Sequence, residues 1–348
     1  MDRVRSMSRY SRQIIQEQFG PAAQDRLAQA RVTLIGCGAL GTVIANTLAR
    51  AGVGYLRLVD RDFVELNNLQ RQVLFDESDA LNGVPKSVAA ASKLAIANSE
   101  ITIEPIVADA HAGNIESLIN GATVVLDGTD NFETRYLIND AAVKQNLPWV
   151  YGACVSAEGM VMPIIPGATP CLRCIFDAPP PPGVSPTCDT AGVLSPIVNI
   201  IASIQSMEAM KIMIGRTDAL VRRLVQFNVW TGEFTAFEMQ AALDAGDCAC
   251  CRQRQFAYLD GTQTGRTVTL CGRNAVQVRP ASDISIRLEE VAERLKSAAK
   301  NPPRLNRYLL RFEVDQYEIT LFRDGRAIIK GVNDVEAGRT IYARYIGA

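Results

Sequence analysis

Histidine is the scarcest reactive residue in this chain of 348 residues, since it occurs once, as His111. Most hydrolases and many oxidoreductases transfer protons with an imidazole, so the shortage argues against chemistry that needs a histidine base. We interpret His111, which comes just before a predicted helix, as a surface or capping residue. Nine cysteines stand against the one histidine. Their odd number indicates reduced thiols and metal binding rather than a disulfide framework.

An excess of charge is also lacking. Lys and Arg number 36 and Asp and Glu 37, which leaves a net charge of -1. Without a basic field we expect neither a nucleic acid nor a membrane as partner. The N-terminal residues hold no apolar core of signal-peptide length, so we expect a cytoplasmic protein. The apolar stretch 192–215 is interrupted by polar residues and predicts a buried or dimer-forming helix rather than a membrane span.

Apolar residues make up 48% of the chain, enough for two domains with cores of their own. From residue 31 to 155, short apolar runs alternate with helical patterns, which predicts an α/β fold with a doubly wound, Rossmann-like, mostly parallel sheet. Later strands near 159–167, 224–230 and 233–239 extend this sheet with antiparallel strands. After Thr262 the pattern indicates a small α+β domain. We therefore divide the chain into domains 1–261 and 262–348.

A glycine motif follows the first predicted strand. Gly36, Gly38 and Gly41 form G-x-G-x-x-G at the start of a helix, and Asp60 ends the next strand, at the usual distance for a ribose contact. The glycines allow the backbone to approach a phosphate chain at the positive end of the helix. The motif predicts a nucleotide site but does not separate NAD from ATP. An NAD-dependent oxidoreductase is therefore an alternative, as is close packing without a ligand.

Three charged residues favour a triphosphate. Arg71, in the polar loop 67–72, is able to bind phosphate oxygens bidentately. Lys86 lies in the first turn of a predicted helix, where a cation opposes the helix dipole unless an anion is bound. The alternative for Lys86 is a solvated surface lysine. Asp130 follows a strand end and suits Mg²⁺, although with Glu133 it also fits a helix capping box.

Two cysteine pairs predict a zinc site. Cys171-x-x-Cys174 and Cys248-x-x-Cys251 have the spacing of two knuckles that close a tetrahedral four-thiolate shell. Such a shell leaves no open position for water, so the zinc would be structural. A redox dithiol would leave the second pair unexplained, and Cys250 has the wrong spacing for a ligand.

The remaining cysteines differ in their surroundings. Cys188 lies in the proline-rich stretch 178–190, which we predict to be an exposed crossing loop. A thiolate there would reach a protein substrate, and an unreactive loop thiol is the equal alternative. Cys37, Cys154 and Cys271 lie in or beside predicted strands, and we interpret them as small core residues.

The motifs together resemble the ThiF/MoeB/HesA adenylyltransferases, which are related to ubiquitin-activating enzymes. The resemblance spans about 8–251 and rests on RYSRQ, LIGCGALG, LVDRD, NNLQRQ, GVPK, DGTDN, CLRC, PTCDTAGV and the late cysteine pair. It implies that ATP activates the C-terminal Gly-Gly carboxylate of a ubiquitin-like sulfur carrier protein of the ThiS/MoaD type. The products are an acyl-adenylate and pyrophosphate. A carboxylate nucleophile is already ionised and needs no general base, which fits the histidine shortage.

The resemblance also implies roles for single residues. Asp60 binds ribose, Asp130 handles Mg²⁺, and Arg12 reaches the ATP of the partner subunit in a homodimer. Asn68, Arg71 and Lys86 contact the phosphates. The other expected ATP contacts are Gly36, Gly38, Ala39, Gly41, Asp62, Asn67, Gln72 and Asn131.

Sulfur transfer is a second expectation from the resemblance. Some family members use a cysteine at the position of Cys188, and a cysteine desulfurase or another sulfur donor would then be a partner. The carrier decides whether the pathway is thiamine, molybdopterin or tRNA thiolation. Residues 262–348 do not match the rhodanese domain of some relatives, and we interpret them as a carrier-docking or dimer-supporting module. A zinc-stabilised scaffold that binds the carrier tail without activating it is the non-enzymatic alternative.

Overall fold

The computed structural model describes residues 9–180, 187–260, 267–270, 274–280 and 285–347, with only the backbone described for Asp189 and 267–270. Cys271, predicted to be a core residue, lies outside the described residues. The chain forms two compact units. One comprises Met1–Pro181 and Ala191–Gln263, and the other comprises Pro182–Thr190 and Thr264–Ala348.

The helices and strands up to the cysteine knuckles alternate as the apolar pattern predicts. In chain order they are α1 (Ser11–Ile14), α2 (Gly20–Gln29), β1 (Arg31–Ile35), α3 (Ala39–Ala51), β2 (Tyr55–Asp60), α4 (Glu77–Leu81), α5 (Lys86–Ala97), β3 (Thr102–Val107), α6 (Ile115–Ile119), β4 (Val124–Asp127), α7 (Phe132–Lys144), β5 (Trp149–Val155), β6 (Glu158–Ile164) and α8 (Leu172–Ile175). A 3₁₀ turn, Leu66–Asn68, lies between β2 and α4.

The later part of the chain adds more helices and strands. They are α9 (Cys188–Ala191), α10 (Ser195–Met213), β7 (Arg223–Asn228), β8 (Glu233–Glu238), α11 (Gln240–Asp244), β9 (Thr267–Leu270), β10 (Ala275–Val278), α12 (Leu288–Leu295), β11 (Arg304–Leu305), β12 (Leu309–Val314), β13 (Tyr317–Phe322), β14 (Ala327–Lys330) and α13 (Val335–Tyr345). The prediction of a loop over the whole of 178–190 is wrong at its end, because α9 begins at Cys188.

The sheet of the first unit is mixed, which confirms the α/β prediction. Its strand order is β3-β2-β1-β4-β5-β6-β7-β8, parallel from β3 to β5 and antiparallel from β5 to β8. Ile35 of β1 pairs with Val59 on one side and Asp127 on the other. The carboxyl ends of β1, β2 and β4 therefore lie at one edge, where the strand order reverses and doubly wound folds bind ligands.

Both faces of this sheet are covered. Leu34 and Leu58 belong to a core on one side, and Ile35 and Val59 to a core on the other, as the alternation along a strand requires. The helix α10 packs into the first core, which confirms a buried helix over most of 192–215. Among the described residues, no helix combines the length and apolar character needed to cross a membrane.

The second unit contains an antiparallel sheet with strand order β11-β12-β13-β14-β10-β9. The helices α12 and α13 contribute Leu288 and Ile341 to its core, in which Leu310 and Ile319 of the central strands are fully buried. This unit thus has a hydrophobic core of its own.

Candidate active site

The glycine loop joins β1 to α3 at the edge where the strand order reverses. Gly36 has φ +94°, and a Cβ there would lie 2.6 Å from the carbonyl of Gly128. A Cβ on Gly41 would lie 2.0 Å from the carbonyl oxygen of Gly36. Close packing therefore requires these two glycines. At Gly38 a Cβ would meet nothing closer than 3.8 Å, which is an ordinary van der Waals contact, so there is room for a group of that size beside this residue.

The amino end of α3 faces that space without a side-chain cap. Gly38 is the N-cap, Ala39 is the first helical residue, and no described side chain accepts from the first turn. The first N–H groups of a helix have no partner within the helix, and the dipole makes this end attract anions. Together with the room beside Gly38, this arrangement suits a phosphate group.

Asp60, at the end of β2, is tied to the glycine loop. It is 8% exposed. Its Oδ2 accepts a hydrogen bond of 2.6 Å from the N–H of Cys37, and its Oδ1 accepts one of 2.7 Å from Asp62. Burial raises the pKa of Asp60, and the cation of Lys86 opposes that shift. The structure thus holds the predicted ribose ligand at the glycine loop.

Lys86 begins α5 and is 5% exposed, so its interpretation as a solvated surface lysine is wrong. Its Nζ lies 3.3 Å from Oδ2 of Asp62, and its N–H donates to the carbonyl of Asp62 at 2.9 Å. A buried ammonium needs a compensating anion, which Asp62 supplies here. The structure therefore brings together Lys86, Asp62 and Asp60 at the carboxyl end of β2.

Arg61, between the two aspartates, is a residue that the sequence analysis missed. Its Nη1 lies 3.2 Å from Oδ1 of Asp109. Burial works against its charge, but the carboxylates of Asp109, Asp62 and Asp130 nevertheless raise its pKa. Asp130 is thus close enough to Arg61 to act on it electrostatically. The signal in the sequence was an arginine flanked by aspartates, LVDRD.

The polar loop 67–72 contributes one side chain directly at the glycine loop. Gln72 is 3% exposed, its Oε1 has no partner among the described residues, and its Nε2 would lie 4.0 Å from a Cβ on Gly38. Asn68 is buried and braces the 3₁₀ turn by accepting from Glu65 at 3.1 Å. Arg71 is half-buried and donates to the carbonyl of Asn67, which is exposed, at 2.9 Å.

The loop between β4 and α7 carries Asp130, which is exposed. The predicted capping box of Asp130 and Glu133 is wrong, because Asn131 is the N-cap and accepts from the N–H of Thr134 at 2.9 Å. Asn fits this role because its short side chain reaches the N3 amide. Asp130 is therefore not occupied in capping α7.

A buried ion pair lies beneath this loop and was also missed. Oδ2 of Asp127 accepts from Nε of Arg135 at 3.1 Å, and Oδ1 accepts from the N–H and the hydroxyl of Thr129 at 2.9 and 2.7 Å. Burial raises the pKa of Asp127, and the guanidinium of Arg135 opposes the shift. Only the first D of DGTDN and an arginine eight residues later hinted at this pair.

Arg12, predicted to act across a dimer, lies exposed in the last turn of α1.

The cysteines outside the group of two pairs differ in burial. Cys188 begins α9 and is partly buried. Cys37 is fully buried in the core, as predicted, and burial raises its pKa well above the ordinary value for a thiol. Cys154 is partly buried, and its Sγ donates to the carbonyl of Ile197 at 3.9 Å.

The two cysteine pairs do come together. The Sγ atoms of Cys171, Cys174, Cys248 and Cys251 lie within 4.8 Å of one another. Neighbouring Sγ atoms are separated by 3.4, 3.7 and 3.8 Å. A tetrahedral Zn²⁺ with Zn–S bonds of about 2.3 Å separates its sulfurs by roughly 3.8 Å. The donor set and its spacing fit zinc.

Asn139 of α7 joins the two knuckles. Its Oδ1 accepts from the N–H of Leu172 at 2.9 Å, and its Nδ2 donates to Sγ of Cys250 at 3.2 Å. Cys250 is fully buried and lies outside the group of four, as its spacing predicts. The knuckles are therefore attached to α7 as well as to each other.

Comparison with known proteins gives a consistent result. The model of the ThiF family matches residues 10–250. The chain is 42% identical over 344 residues to the sulfur carrier protein ThiS adenylyltransferase of Bacillus subtilis, across 97% of this chain and 99% of that protein. It is 38% identical over 245 residues to the SAMP-activating enzyme E1 of Haloferax volcanii, across 70% of this chain and 88% of that protein.

A solved structure supports the fold. The crystal structure of E. coli MccB with MccA-N7isoASN matches with a TM-score of 0.60 and 24% sequence identity, over 67% of this chain and 72% of that chain. At this identity the likeness shows the fold alone.

Proposed function

The chain belongs to the ThiF family and is an ATP-dependent adenylyltransferase, and from this premise we propose that its second substrate is a ubiquitin-like sulfur carrier protein. The observation that carries the proposal is the similarity to the ThiS adenylyltransferase of B. subtilis, which extends over nearly the whole of both chains. The C-terminal Gly-Gly carboxylate of the carrier attacks the α-phosphorus of ATP. Pyrophosphate leaves, and the carrier becomes an acyl-adenylate.

The site supplies positioning and charge rather than a base. The uncapped end of α3, where Gly38 at the N-cap carries no side chain, receives the phosphates, and Asp60 accepts hydrogen bonds from the ribose hydroxyls. Lys86 neutralises phosphate charge from a buried position, where a fixed cation acts more strongly than in water. The carrier carboxylate is ionised at neutral pH, so the absence of a catalytic histidine does not hinder the reaction.

The other expected contacts complete the proposed ATP site. Asn68 and Arg71 are the residues we propose to bind the phosphates, and Gln72 lies next to Gly38. Asp130 offers the oxygen ligand that Mg²⁺ prefers, and the ion would neutralise charge that develops on the phosphates. Arg12 is exposed, as a residue that serves the ATP of a partner subunit has to be, so a homodimer is part of the proposal.

We further propose that the four-cysteine group binds a structural Zn²⁺ and that Cys188 performs a thiol step after adenylylation. The Cys188 thiolate attacks the acyl carbon of the adenylate, AMP leaves, and a thioester forms. Hydrosulfide delivered by a separate sulfur donor then attacks the thioester carbonyl, the carrier thiocarboxylate forms, and the Cys188 thiolate leaves. Cys188 is the first residue of α9 and is only partly buried.

Exchange of labelled pyrophosphate into ATP tests the proposed function. We expect exchange when a ThiS-like or MoaD-like carrier with an intact tail is added, and none with a carrier lacking its terminal Gly-Gly. Absence of exchange with every such carrier would overturn the proposal. A scaffold that binds the tail without activating it would bind the carrier equally well after Arg71→Ala and would show no exchange.

A further inference from the structure

We propose that Arg135 is a positioning residue for adenylylation, which holds the loop 128–130, and through it Asp130, against the glycine loop. The proposal rests on the function proposed above, because it gives Asp130 a role in the reaction. Arg135 itself is 6% exposed, so it acts through the loop and not on the substrates.

The guanidinium of Arg135 contacts the loop at Thr129 and also the neighbouring strands β4 and β5. Its Nε donates to Oδ2 of Asp127 at 3.1 Å, and its Nη2 donates to the carbonyls of Thr129 at 2.8 Å and Gly152 at 3.3 Å. Asp127 in turn accepts from the N–H and the hydroxyl of Thr129. Arg135 therefore links α7, the end of β4 and β5 to the residue that directly precedes Asp130.

Only a guanidinium makes this set of contacts. Its donors form a rigid planar fork, whereas the ammonium of a lysine is one point on a flexible stem. Asp127 is fully buried and needs a nearby cation to remain ionised. A neutral side chain in place of Arg135 would leave the buried carboxylate of Asp127 without a cation.

The same loop is fixed to the glycine loop. The N–H of Gly128 donates to the carbonyl of Ile35 at 2.8 Å. The carbonyl of Gly128 lies 2.6 Å from the position that a Cβ on Gly36 would take, so the two loops are in close contact. Beneath them, Nε2 of Gln205 donates to the carbonyl of Asp127 at 2.9 Å. A shift of the loop 128–130 would consequently move Asp130 relative to the bound phosphates.

Asp130 is near enough to Arg135 to interact with it through space. Burial opposes the charge on Arg135, but Asp127, and with it Asp130, raises its pKa. The hydrogen bonds and the neighbouring charges therefore both indicate that Arg135 stays protonated and holds the loop in place.

The first experiment compares Arg135→Lys, Asp130→Ala and the double variant in pyrophosphate exchange with the full chain. We expect kcat to fall about 10- to 100-fold in Arg135→Lys, since misplacement of a reacting group by about 1 Å costs rates of that order. In the Asp130→Ala background, Arg135→Lys should cost nothing further, because both changes remove the same contribution. If the losses in kcat of the two single variants multiply in the double variant, the proposal is overturned. The control Arg57→Lys changes a paired arginine on β2 that contacts Glu104.

The second experiment does not depend on the reaction. Hydrogen exchange of the backbone amides should become faster in 128–130 in Arg135→Lys and stay unchanged there in Arg57→Lys. Unchanged protection in Arg135→Lys overturns the proposal. If Arg135→Lys does not fold, Thr129→Val takes its place, because it removes the hydroxyl that donates to Asp127. Faster hydrogen exchange in 128–130 then supports the proposal, and unchanged exchange overturns it. If the wild type shows no pyrophosphate exchange, the proposed function fails, while hydrogen exchange still decides the role of Arg135.

Discussion

Lys86 and Lys93 lie on the same helix, α5, but only Lys86 is buried beside the glycine loop. Lys86→Met should reduce pyrophosphate exchange by about 100-fold, because loss of one preorganised electrostatic contact commonly costs about 10²–10³ in rate. Lys93→Met is the matched control, since Lys93 pairs with Asp76 and Asp79 at the surface. Exchange rates and melting temperatures of both variants provide the measurement. Equal activity of the two variants would show that the buried ammonium does not serve the phosphates.

Single residues show where sequence reasoning succeeds and where it stops. The positions of the glycines and Asp60 at the ends of β1 and β2 were predictable, because they depend on local spacing after a strand. The burial of Lys86 was not, since it depends on Asp62 and on how α5 packs. Sequence spacing could not decide between Asn131 and Asp130 as the N-cap of α7, because the two residues are adjacent in the chain. The Asp127–Arg135 pair requires knowledge of which side of α7 faces β4.

At the scale of elements, Gly→Ala substitutions at two positions of the glycine loop should differ in their effect on the free energy of unfolding. Gly41→Ala places a Cβ 2.0 Å from the carbonyl oxygen of Gly36 and should destabilise the fold by about 3 kcal/mol or more. Gly38→Ala meets no protein atom closer than 3.8 Å and should cost at most about 1 kcal/mol, the size of a helix-cap effect.

The same substitution at Gly38 should raise KM for ATP by about tenfold or more, because its methyl group occupies the space proposed for phosphate. Thermal unfolding and ATP titration of both variants give the measurement. A Gly38→Ala variant that binds ATP as tightly as the wild type would place the phosphates elsewhere.

The four cysteines proposed to bind zinc, which we call the zinc staple, connect segments that are far apart in the chain; they are Cys171, Cys174, Cys248 and Cys251. Cys248→Ser should lose bound zinc and about 3 kcal/mol or more of stability, which lowers Tm by roughly 6–12 °C in a unit of this size. The control is Cys154→Ser, which changes a partly buried cysteine outside the group. Metal analysis and calorimetry give the result. Full zinc content in Cys248→Ser would contradict the assignment.

The elements themselves were largely predictable. The alternation of strands and helices that the sequence predicts over 31–155 is the order that the structure shows. These elements follow from hydrophobic periodicity. The helix α9 was missed because the neighbouring prolines dominate the local pattern, and four residues are too few to show a helical period.

At the scale of the whole molecule, the residues proposed to act in adenylylation and the zinc staple all lie in the first unit, whereas the segment Pro182–Thr190, with Cys188, belongs to the second. This assignment separates the two proposed steps. A sequence pattern could not reveal it, because 182–190 and 264–348 are distant in the chain and become one unit only through contacts in the folded state.

A chain ending at residue 261 tests that separation. With saturating carrier it should retain pyrophosphate exchange, because the glycine loop, Lys86, Asp130 and the zinc staple remain. If 262–348 docks the carrier, KM for the carrier should rise about tenfold, equivalent to about 1.4 kcal/mol of binding free energy. Formation of the carrier thioester, followed by mass spectrometry, should be lost, since the Cys188 segment lacks the rest of its unit.

The full chain with Cys188→Ser is the matched control for the truncated chain. It should keep both the exchange rate and KM for the carrier and lose only the thioester, because its second unit is intact. Loss of exchange in the truncated chain, with zinc content and melting temperature of the first unit preserved, would mean that residues 262–348 take part in adenylylation itself. A thioester that forms in Cys188→Ser would assign the thiol step to another cysteine.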